Sequence, residues 1–409
     1  MSFREYNPNK DFQAVSRIWK ECGWIEEDKE AESLDDFFEV GDTLVATLND
    51  DAECVVHGTP GTLRYLQEDL KLGAVLSVNT SHVVRKLGFA KRLTARLLAK
   101  QAGDGMDVSA LGIFDQGFYD TLGFGNGSYE NWIKFDPATL MVNYPFRPPR
   151  RLTSENYEEM HAALIARARH HGSVNLDAVS AFKAEMAWTK RSFGFGYYDG
   201  PGDTLSHFIW GEMNGEYGPY LILSRAYQTN DQLLELLALI KSLADQVTQI
   251  GMLEFGEIQM QDLLRQPFRT RRASEKGKFE QSIRTSAYWQ MRILNLESCL
   301  SKTHLNKPGV RFNLQLSDPV EDNLEDSESW RGLSGEYVVE LGKESSAKPG
   351  RLKSLPTLTA SVNAFSRMWF GVRPASSLAI TDQLTGEPSL LASLDEVLCL
   401  PKPHFGWDF

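Results

Sequence analysis

The sequence predicts an α/β (α+β) protein in three parts: two mixed-sheet domains and a terminal α+β domain. Helix-like and strand-like patterns alternate over the first 140 residues and again from about 150 to 288. Between these regions, residues 137–149 contain four prolines, which favour a linker because proline lacks a backbone donor and fixes φ. From Val310 to Leu316 apolar and polar residues strictly alternate, which is typical of a half-buried strand and begins the third part.

Within the first region, apolar residues at helical spacing predict a helix around residues 12–19. Runs typical of strands follow at 43–48, 53–57 and 73–78, and Asn49-Asp50-Asp51 and Thr59-Pro60-Gly61 are predicted as turns between them. A helix is predicted over 88–101 and a strand over 108–113. Strands before and after a helix suggest a βαβ unit in a mixed sheet.

In the second region the clearest element is an amphipathic helix over 231–247, with strands predicted at 205–210, 220–223 and 252–255. In the third, strands are predicted at 337–341, 358–362 and 397–400, and a helix at 364–370.

Composition excludes several classes of protein. The chain has 409 residues, 43 Lys and Arg against 55 Asp and Glu, and a formal charge of −12, which is poorly suited to binding nucleic acid through phosphates. Its four cysteines are far apart, so neither a disulfide scaffold nor a zinc site is expected, and no metal is predicted. No run of 18 apolar residues and no signal-like start is present, so we expect a cytoplasmic protein that does not bind membranes.

The most informative segment joins the strand at 74–78 to the helix beginning near residue 88. The turn reads Arg85-Lys-Leu-Gly-Phe-Ala90, and residues 85–100 contain six Lys or Arg and no acidic residue. A strand that leads into a small-residue turn at a helix N-terminus is an anion site, because free backbone N–H groups and the helix dipole point there. An incidental glycine on a solvated basic helix is the alternative interpretation.

A second segment follows about 25 residues downstream. It reads Gly117-Phe-Tyr-Asp-Thr-Leu-Gly-Phe-Gly125, a short helix carrying Tyr119 and then a glycine-rich strand start. The two segments together resemble the GNAT superfamily of N-acetyltransferases. In that superfamily the R-x-x-G-x-A turn holds the pyrophosphate of acetyl-CoA, and the aromatic helix brings a tyrosine to the thioester.

The chain's length and three-part organisation resemble more narrowly the enhanced intracellular survival family. That resemblance implies two tandem GNAT-type domains, the second degenerate, followed by a sterol-carrier-like domain. We place them at residues 1–145, 146–288 and 289–409. It also implies a homo-oligomer, a hexamer in that family.

The resemblance also implies the site residues and their roles. Acetyl-CoA is the acetyl donor, Tyr119 is the general acid and the terminal carboxylate of Phe409 is the general base. A carboxylate and a phenol on opposite sides supply the proton transfers of direct acyl transfer, and His82 is the competing base. The residues predicted to bind acetyl-CoA are Leu76, Ser77, Val78, Arg85, Lys86, Gly88, Phe89 and Ala90.

The acceptor is predicted as a small cationic amine, an aminoglycoside-like polycation or a peptide lysine. Residues 20–42 contain ten Asp or Glu, and Trp24, Glu26 and Asp408 are the predicted acceptor-binding residues. A solvated acidic surface is the alternative. Two other functions stay open: a non-catalytic protein that binds acetyl-CoA, and a lipid-binding protein that uses the terminal domain.

Overall fold

The computed structural model of the chain describes residues 2–113, 116–267, 275–326 and 328–407. Its N-terminal part contains six strands and four α-helices among those residues. The strands are β1 (Ser2–Glu5), β2 (Asp42–Leu48), β3 (Asp51–Tyr65), β4 (Glu68–Thr80), β5 (Val108–Gly112) and β6 (Gly125–Asn126). The helices are α1 (Pro8–Glu21), α2 (Asp28–Ala31), α3 (Leu34–Phe38) and α4 (Phe89–Gly103).

The middle part continues this alternation of strands and helices. Its strands are β7 (Glu130–Phe135), β8 (Arg150–Arg151), β9 (Val174–Leu176), β10 (Ser192–Tyr197), β11 (His207–Met213), β12 (Tyr220–Ala226), β13 (Ile250–Leu253) and β14 (Ser282–Ser286). Its helices are α5 (Tyr157–Ile165), α6 (Val179–Trp188) and α7 (Asn230–Ser242).

The C-terminal part has short strands and four helices among the described residues. Its strands are β15 (Trp289–Ile293), β16 (Val310–Ser317), β17 (Gly335–Leu341), β18 (Ser346–Pro349), β19 (Thr357–Ser361) and β20 (Leu384–Thr385). Its helices are α8 (Leu296–Ser301), α9 (Val362–Trp369), α10 (Ala375–Thr381) and α11 (Pro388–Val397). None of the helices in the described ranges is both long and apolar enough to span a bilayer.

Three sheets organise these strands. The first has the order β1-β2-β3-β4-β5-β15-β6 with β9 beside β3, the second β14-β7-β13-β12-β11-β10-β8, and the third β18-β17-β16-β19-β20. In the first sheet α4 joins the parallel pair β4 and β5, and in the second α7 joins the parallel pair β12 and β13. Two mixed sheets with the same strand–helix–strand crossover confirm the predicted fold class.

Two strands pair with strands that lie on the other side of a predicted domain boundary. β7, N-terminal to position 145, pairs with β13 and β14 of the second sheet. β15, C-terminal to position 288, pairs with β5 and β6 of the first sheet. Tyr65 of β3 also stacks on Trp369 of α9, with ring centroids 4.5 Å apart, in an apolar core shared by the first sheet and the C-terminal part. Boundaries along the sequence therefore do not separate the sheets.

Two element predictions are wrong. Residues 59–61 do not form a turn but lie inside β3, which pairs with β4 from Cys54 to Tyr65. On the edge of β3 away from β4, pairing with β2 extends only as far as Gly58 and pairing with β9 only as far as Gly61. Pro60 lies between them, so no partner strand needs its missing donor. Residues 397–400 are not a strand, since α11 ends at Val397.

Several histidines are buried, and His171 is one of them. Its Nδ1 accepts a hydrogen bond from the Leu66 backbone N–H at 3.2 Å, and its Nε2 donates to the Phe370 carbonyl at 3.0 Å. Burial lowers the pKa of His171 to about 4. Both ring nitrogens are used in the neutral form, so protonation of Nδ1 breaks the bond to Leu66.

We expect His171 to make the free energy of unfolding depend on pH. Its folded pKa lies below the ordinary value of about 6.5, so the unfolded chain binds the proton first and stability falls as the pH drops from about 6.5 to 4. His171→Gln should flatten this slope in urea unfolding at several pH values. The exposed His304 provides the matched control: an equally flat slope in His304→Gln would contradict the assignment.

Candidate active site

β4 and β5 diverge in the middle of the first sheet. They pair only from Leu72–Val75 against Val108–Leu111, while β4 continues to Thr80. Opposite β3 the register shifts so that Leu76 is an extra residue in β4, and such a bulge bends a strand and increases its twist. Residues 76–78 therefore have β3 on one side and no described strand on the other, which leaves backbone groups available to a ligand.

The turn that follows β4 presents the N-terminus of α4 to the same opening. Lys86 and Gly88 have positive φ values of 66° and 80°, and Gly88 is the residue before α4 without a side-chain cap. A Cβ added at Gly88 would meet no atom within 4 Å. The first backbone N–H groups of α4 thus face open space, which suits an anion. Arg85 and Lys86 are exposed beside them and make no ion pair with a described residue.

The corresponding helix of the second sheet is built differently. Thr229 caps α7 by accepting a hydrogen bond from the Gln232 backbone N–H, and the Gln232 side chain accepts from the backbone N–H groups of Gln228 and Thr229. This capping box satisfies the groups that an anion would need. The second crossover keeps the topology but offers no open anion site.

Tyr119 begins a short 3₁₀ turn, Tyr119–Leu122, after the end of β5. Gly123 closes the turn with a φ of 85°, a conformation that favours glycine. The Tyr119 side chain is 7 % exposed and makes edge contacts with Phe118 and Phe124. Its ring is therefore fixed by packing in the apolar core around α4.

Side chains from the C-terminal part hold this turn. The Asn363 amide of α9 donates to the carbonyls of Asp120 and Phe124 at 2.9 and 2.8 Å. Gln290 of β15 donates to the Asp120 carboxylate at 2.8 Å. These bonds fix both ends of the segment that carries Tyr119.

A buried ion pair supports the same turn from below. Arg292 of β15 donates to the Leu122 carbonyl and forms a bidentate pair with Asp318; both side chains are fully buried. A Cβ at Gly123 would lie 2.5 Å from the Arg292 guanidinium. Glycine at position 123 is therefore required by the turn and by this close approach.

A cavity of about 1010 Å³ opens where the first and second sheets meet the C-terminal segment. Gly112, the last residue of β5, lines it, which places one wall at the end of the strand that diverges from β4. Eight of its lining residues are aromatic: Trp132, Phe182, Tyr227, Phe255, Tyr288, Trp289, Phe405 and Trp407. A cavity of this size suits a small organic acceptor.

The C-terminal segment is fastened into that cavity wall. The Val174 backbone N–H donates to the Phe405 carbonyl and the His404 N–H to the His171 carbonyl. Phe405 stacks on Trp289 with ring centroids 4.0 Å apart. Phe405 and Trp407 both line the cavity, and these contacts anchor the C-terminal segment as far as Trp407.

Comparisons with known proteins agree with this geometry. Residues 2–127 match the family model described as the acetyltransferase (GNAT) domain. Residues 2–127 are a GNAT acetyltransferase domain. The prediction of an N-acetyltransferase is thereby confirmed.

Several solved structures resemble the whole chain, and the alignment with each of the three described below covers 100 % of it. Eis1 from Mycobacterium abscessus aligns over 100 % of its own length with a TM-score of 0.77 and 13 % identity. A probable N-acyltransferase from Enterococcus faecalis aligns over 99 % of its length, with a TM-score of 0.80 and 15 % identity. A GCN5-related N-acetyltransferase from Anabaena variabilis aligns over 100 % of its length, with a TM-score of 0.80 and 13 % identity. At these identities the likeness concerns the fold, which is Eis-like. No curated protein matches the sequence.

The structure brings the predicted donor-binding residues of the GNAT domain together. Those on β4 lie at the divergence from β5, and those from 85 to 90 surround the start of α4. Tyr119 lies beyond the end of β5 in the same domain. Asp408 and Phe409 fall outside the described residues, so the predicted roles of their carboxylates stay predictions.

Five of the ten acidic residues in the acidic segment, residues 20–42, pair with lysines. Glu26 lies 2.9 Å from the Lys190 ammonium, and Asp28 pairs with Lys20. Trp24 is 43 % exposed and packs edge-on against Trp19. This segment therefore offers a cationic acceptor less free negative charge than its composition predicts.

One group of possible metal ligands occurs among the described residues. Oxygen or nitrogen atoms of Asp199, His207 and Glu235 lie within 4.8 Å of one another. The Arg147 guanidinium already bonds both carboxylates at 2.6 to 2.9 Å. The group is a salt-bridge network that joins the proline-rich segment to the second sheet.

Proposed function

We propose that the protein transfers an acetyl group from acetyl-CoA directly to a primary amine. The observation that carries this proposal is the divergence of β4 from β5 beside the uncapped start of α4. Acetyl-CoA has amides that can pair with a free strand edge and phosphates that suit a helix N-terminus. Leu76 to Val78 would bind the amides, and the turn from Arg85 to Ala90 would bind the pyrophosphate.

The chemistry is a direct acyl transfer. The amine nitrogen attacks the thioester carbonyl, a C–N bond forms, the C–S bond breaks, and the CoA thiolate leaves. Tyr119 would donate a proton to that thiolate, and a base would take a proton from the amine. A backbone N–H near Val78 would stabilise the oxyanion. Phe409 is the proposed base through its terminal carboxylate.

The deciding experiment is release of free CoA thiol on a panel of amines, combined with thermal unfolding in acetyl-CoA. Turnover and a raised Tm support the proposal, and the panel includes aminoglycosides and lysine peptides because these are the proposed acceptor classes. A raised Tm without turnover on any amine would favour a non-catalytic acetyl-CoA-binding protein. A rise in Tm with a fatty acid alone would favour lipid binding.

The proposed base is testable without changing any side chain. Adding three glycines after Phe409 moves the terminal carboxylate, and we expect turnover to be lost. The rival is the exposed His82, whose backbone N–H bonds the Glu21 carboxylate at 2.8 Å, and His82→Ala should retain turnover. The reverse pattern in steady-state kinetics assigns the role to His82.

Three further assignments rest on the resemblance to the enhanced intracellular survival family. They are a sterol-carrier-like fold for residues 289–409, assembly into a hexamer, and a cytoplasmic location. The five-stranded third sheet with α9, α10 and α11 is the part of the chain to which the first applies. Light scattering of the purified protein tests the second.

A further inference from the structure

We propose that Arg167 and Arg225 form a carboxylate-binding site in the wall of the cavity beside β5. The ligand is a carboxylate of the amine acceptor or a carboxylate of the chain's own C-terminus. The proposal deepens the proposed function, because it rests on the cavity being the place where the acceptor binds. Both arginines belong to the second region, and neither is among the predicted site residues.

Arg225 is the central residue of this site. It lies on β12 and lines the cavity. Its guanidinium makes one hydrogen bond, at 3.3 Å to the Glu254 carbonyl, and lies over the Phe255 ring at 4.3 Å. A guanidinium has five N–H donors, so most of the hydrogen-bonding capacity of Arg225 is unused within the described chain.

Arg167 lies in the same wall and is held more firmly. It donates to the carbonyls of Leu164 and Val174 at 2.7 and 2.6 Å and to the Asn175 side chain. Its guanidinium also lies over the Trp407 ring at 5.4 Å. All of these partners are neutral, so Arg167 is positioned without being neutralised.

The pKa values of both arginines are lowered, and the charge of Arg225 contributes to the shift of Arg167. Burial lowers the pKa of Arg225 to about 10, and burial with the positive charges of Arg169 and Arg225 lowers the pKa of Arg167 to about 9. Both values keep the groups charged at neutral pH. Both arginines are half-buried, neither forms an ion pair with a described residue, and a charge removed from water without a counter-ion is costly.

The lining of the cavity as a whole is positively charged, like the two arginines. Its described lining residues include four cations and two anions, for a formal charge of +2, in a chain whose charge is −12. The cations are Lys134, Arg167, Arg225 and Arg284, and the anions are Glu130 and Glu185. Glu130 lies near His404, at 3.7 Å, and its field favours the charge on Arg225. Of the two proposed acceptor classes, this lining favours a lysine peptide, which can carry a carboxylate, over an aminoglycoside-like polycation.

A carboxylate on an apolar body fits both parts of the lining. The planar guanidinium fork matches a carboxylate in a bidentate arrangement, and the aromatic walls suit the rest of such a molecule. Two sources have this chemistry. An acceptor amine that also carries a carboxylate is one, and the chain's own C-terminus, two residues beyond Trp407, is the other.

The experiment measures binding of benzoate and its neutral analogue benzamide by fluorescence of the cavity tryptophans, in the full chain. It needs no turnover, so a failure of the proposed function and a failure of this site are distinguishable. We expect benzoate to bind at least about tenfold more tightly than benzamide. Arg225→Gln should remove the difference and Arg225→Lys should reduce it. Arg284→Gln, which removes a charge from exposed β14 in the same cavity, should retain it.

The two sources give different results. If the acceptor supplies the carboxylate, the wild-type chain discriminates between the two probes. If the C-terminus fills the site, only a chain with Asp408→Asn and three added glycines discriminates. Equal binding of the two probes in both chains overturns the proposal. So does discrimination that survives Arg225→Gln, or inorganic phosphate binding as tightly as benzoate.

Discussion

Replacing Tyr119 with phenylalanine is expected to lower kcat by about 100-fold or more and to leave the affinity for acetyl-CoA nearly unchanged. The substitution keeps the ring, which packs against Phe118 and Phe124, and removes only the hydroxyl that would protonate the leaving thiolate. Single-turnover kinetics with acetyl-CoA and the best amine of the panel measure the chemical step directly.

The matched control is another buried tyrosine of the same domain. The Tyr65 hydroxyl donates to the Trp369 carbonyl at 3.2 Å, so Tyr65→Phe also deletes a buried hydroxyl but removes only a structural hydrogen bond. It should lower the free energy of unfolding by about 1 kcal/mol and leave the single-turnover rate unchanged. An unchanged rate in Tyr119→Phe, with chemistry shown to be rate-limiting, would exclude Tyr119 as the general acid.

The residues that hold Tyr119 in place are separated from it by most of the chain. Asn363 donates to the carbonyls of Asp120, within the Tyr119 turn, and Phe124, just after it. Arg292, which is paired with Asp318, donates to the carbonyl at the end of the turn. Each of these residues is polar and unremarkable in its local sequence, and no spacing links it to position 119. Sequence patterns therefore indicated the tyrosine but not its support, which depends on how the C-terminal part packs on the first sheet.

Elements with a strong local pattern were predicted correctly. The helix expected over 88–101 is α4, Phe89–Gly103, because its apolar stripe and the glycine before it are local signals. The helix expected over 364–370 is α9, Val362–Trp369. Pro60, by contrast, is a local signal for a turn, and only the positions of β2 and β9 make it acceptable inside β3.

Non-local pairing also explains why the cavity was not predicted. Its wall combines Glu130 of β7, Arg225 of β12, Trp289 of β15 and the segment around Phe405, which meet only because strands cross the predicted boundaries. The sequence showed a surplus of acidic residues, and this indicated a site for cations. The folded chain instead pairs half of the acidic residues of that segment with lysines. Around the cavity it places Arg167 and Arg225, which form no ion pair with a described residue.

The last prediction concerns Gly88, where we expect Gly88→Asp to weaken acetyl-CoA binding by at least about tenfold and Gly88→Asn to weaken it much less. Aspartate and asparagine have the same shape, and both tolerate the positive φ of 80° at position 88 better than other side chains do. Any backbone strain is therefore the same in the two variants. They differ by one negative charge, held in open space before the uncapped start of α4, where the pyrophosphate would bind. Calorimetric titration with acetyl-CoA gives the two Kd values.

The ratio of these two Kd values should shrink between about 0.05 and 0.5 M salt, because exposed charges are screened over less than about 10 Å above 0.1 M. Equal affinities of Gly88→Asp and Gly88→Asn at low salt would place the phosphates elsewhere, since a full charge at this position would then make no difference to the donor.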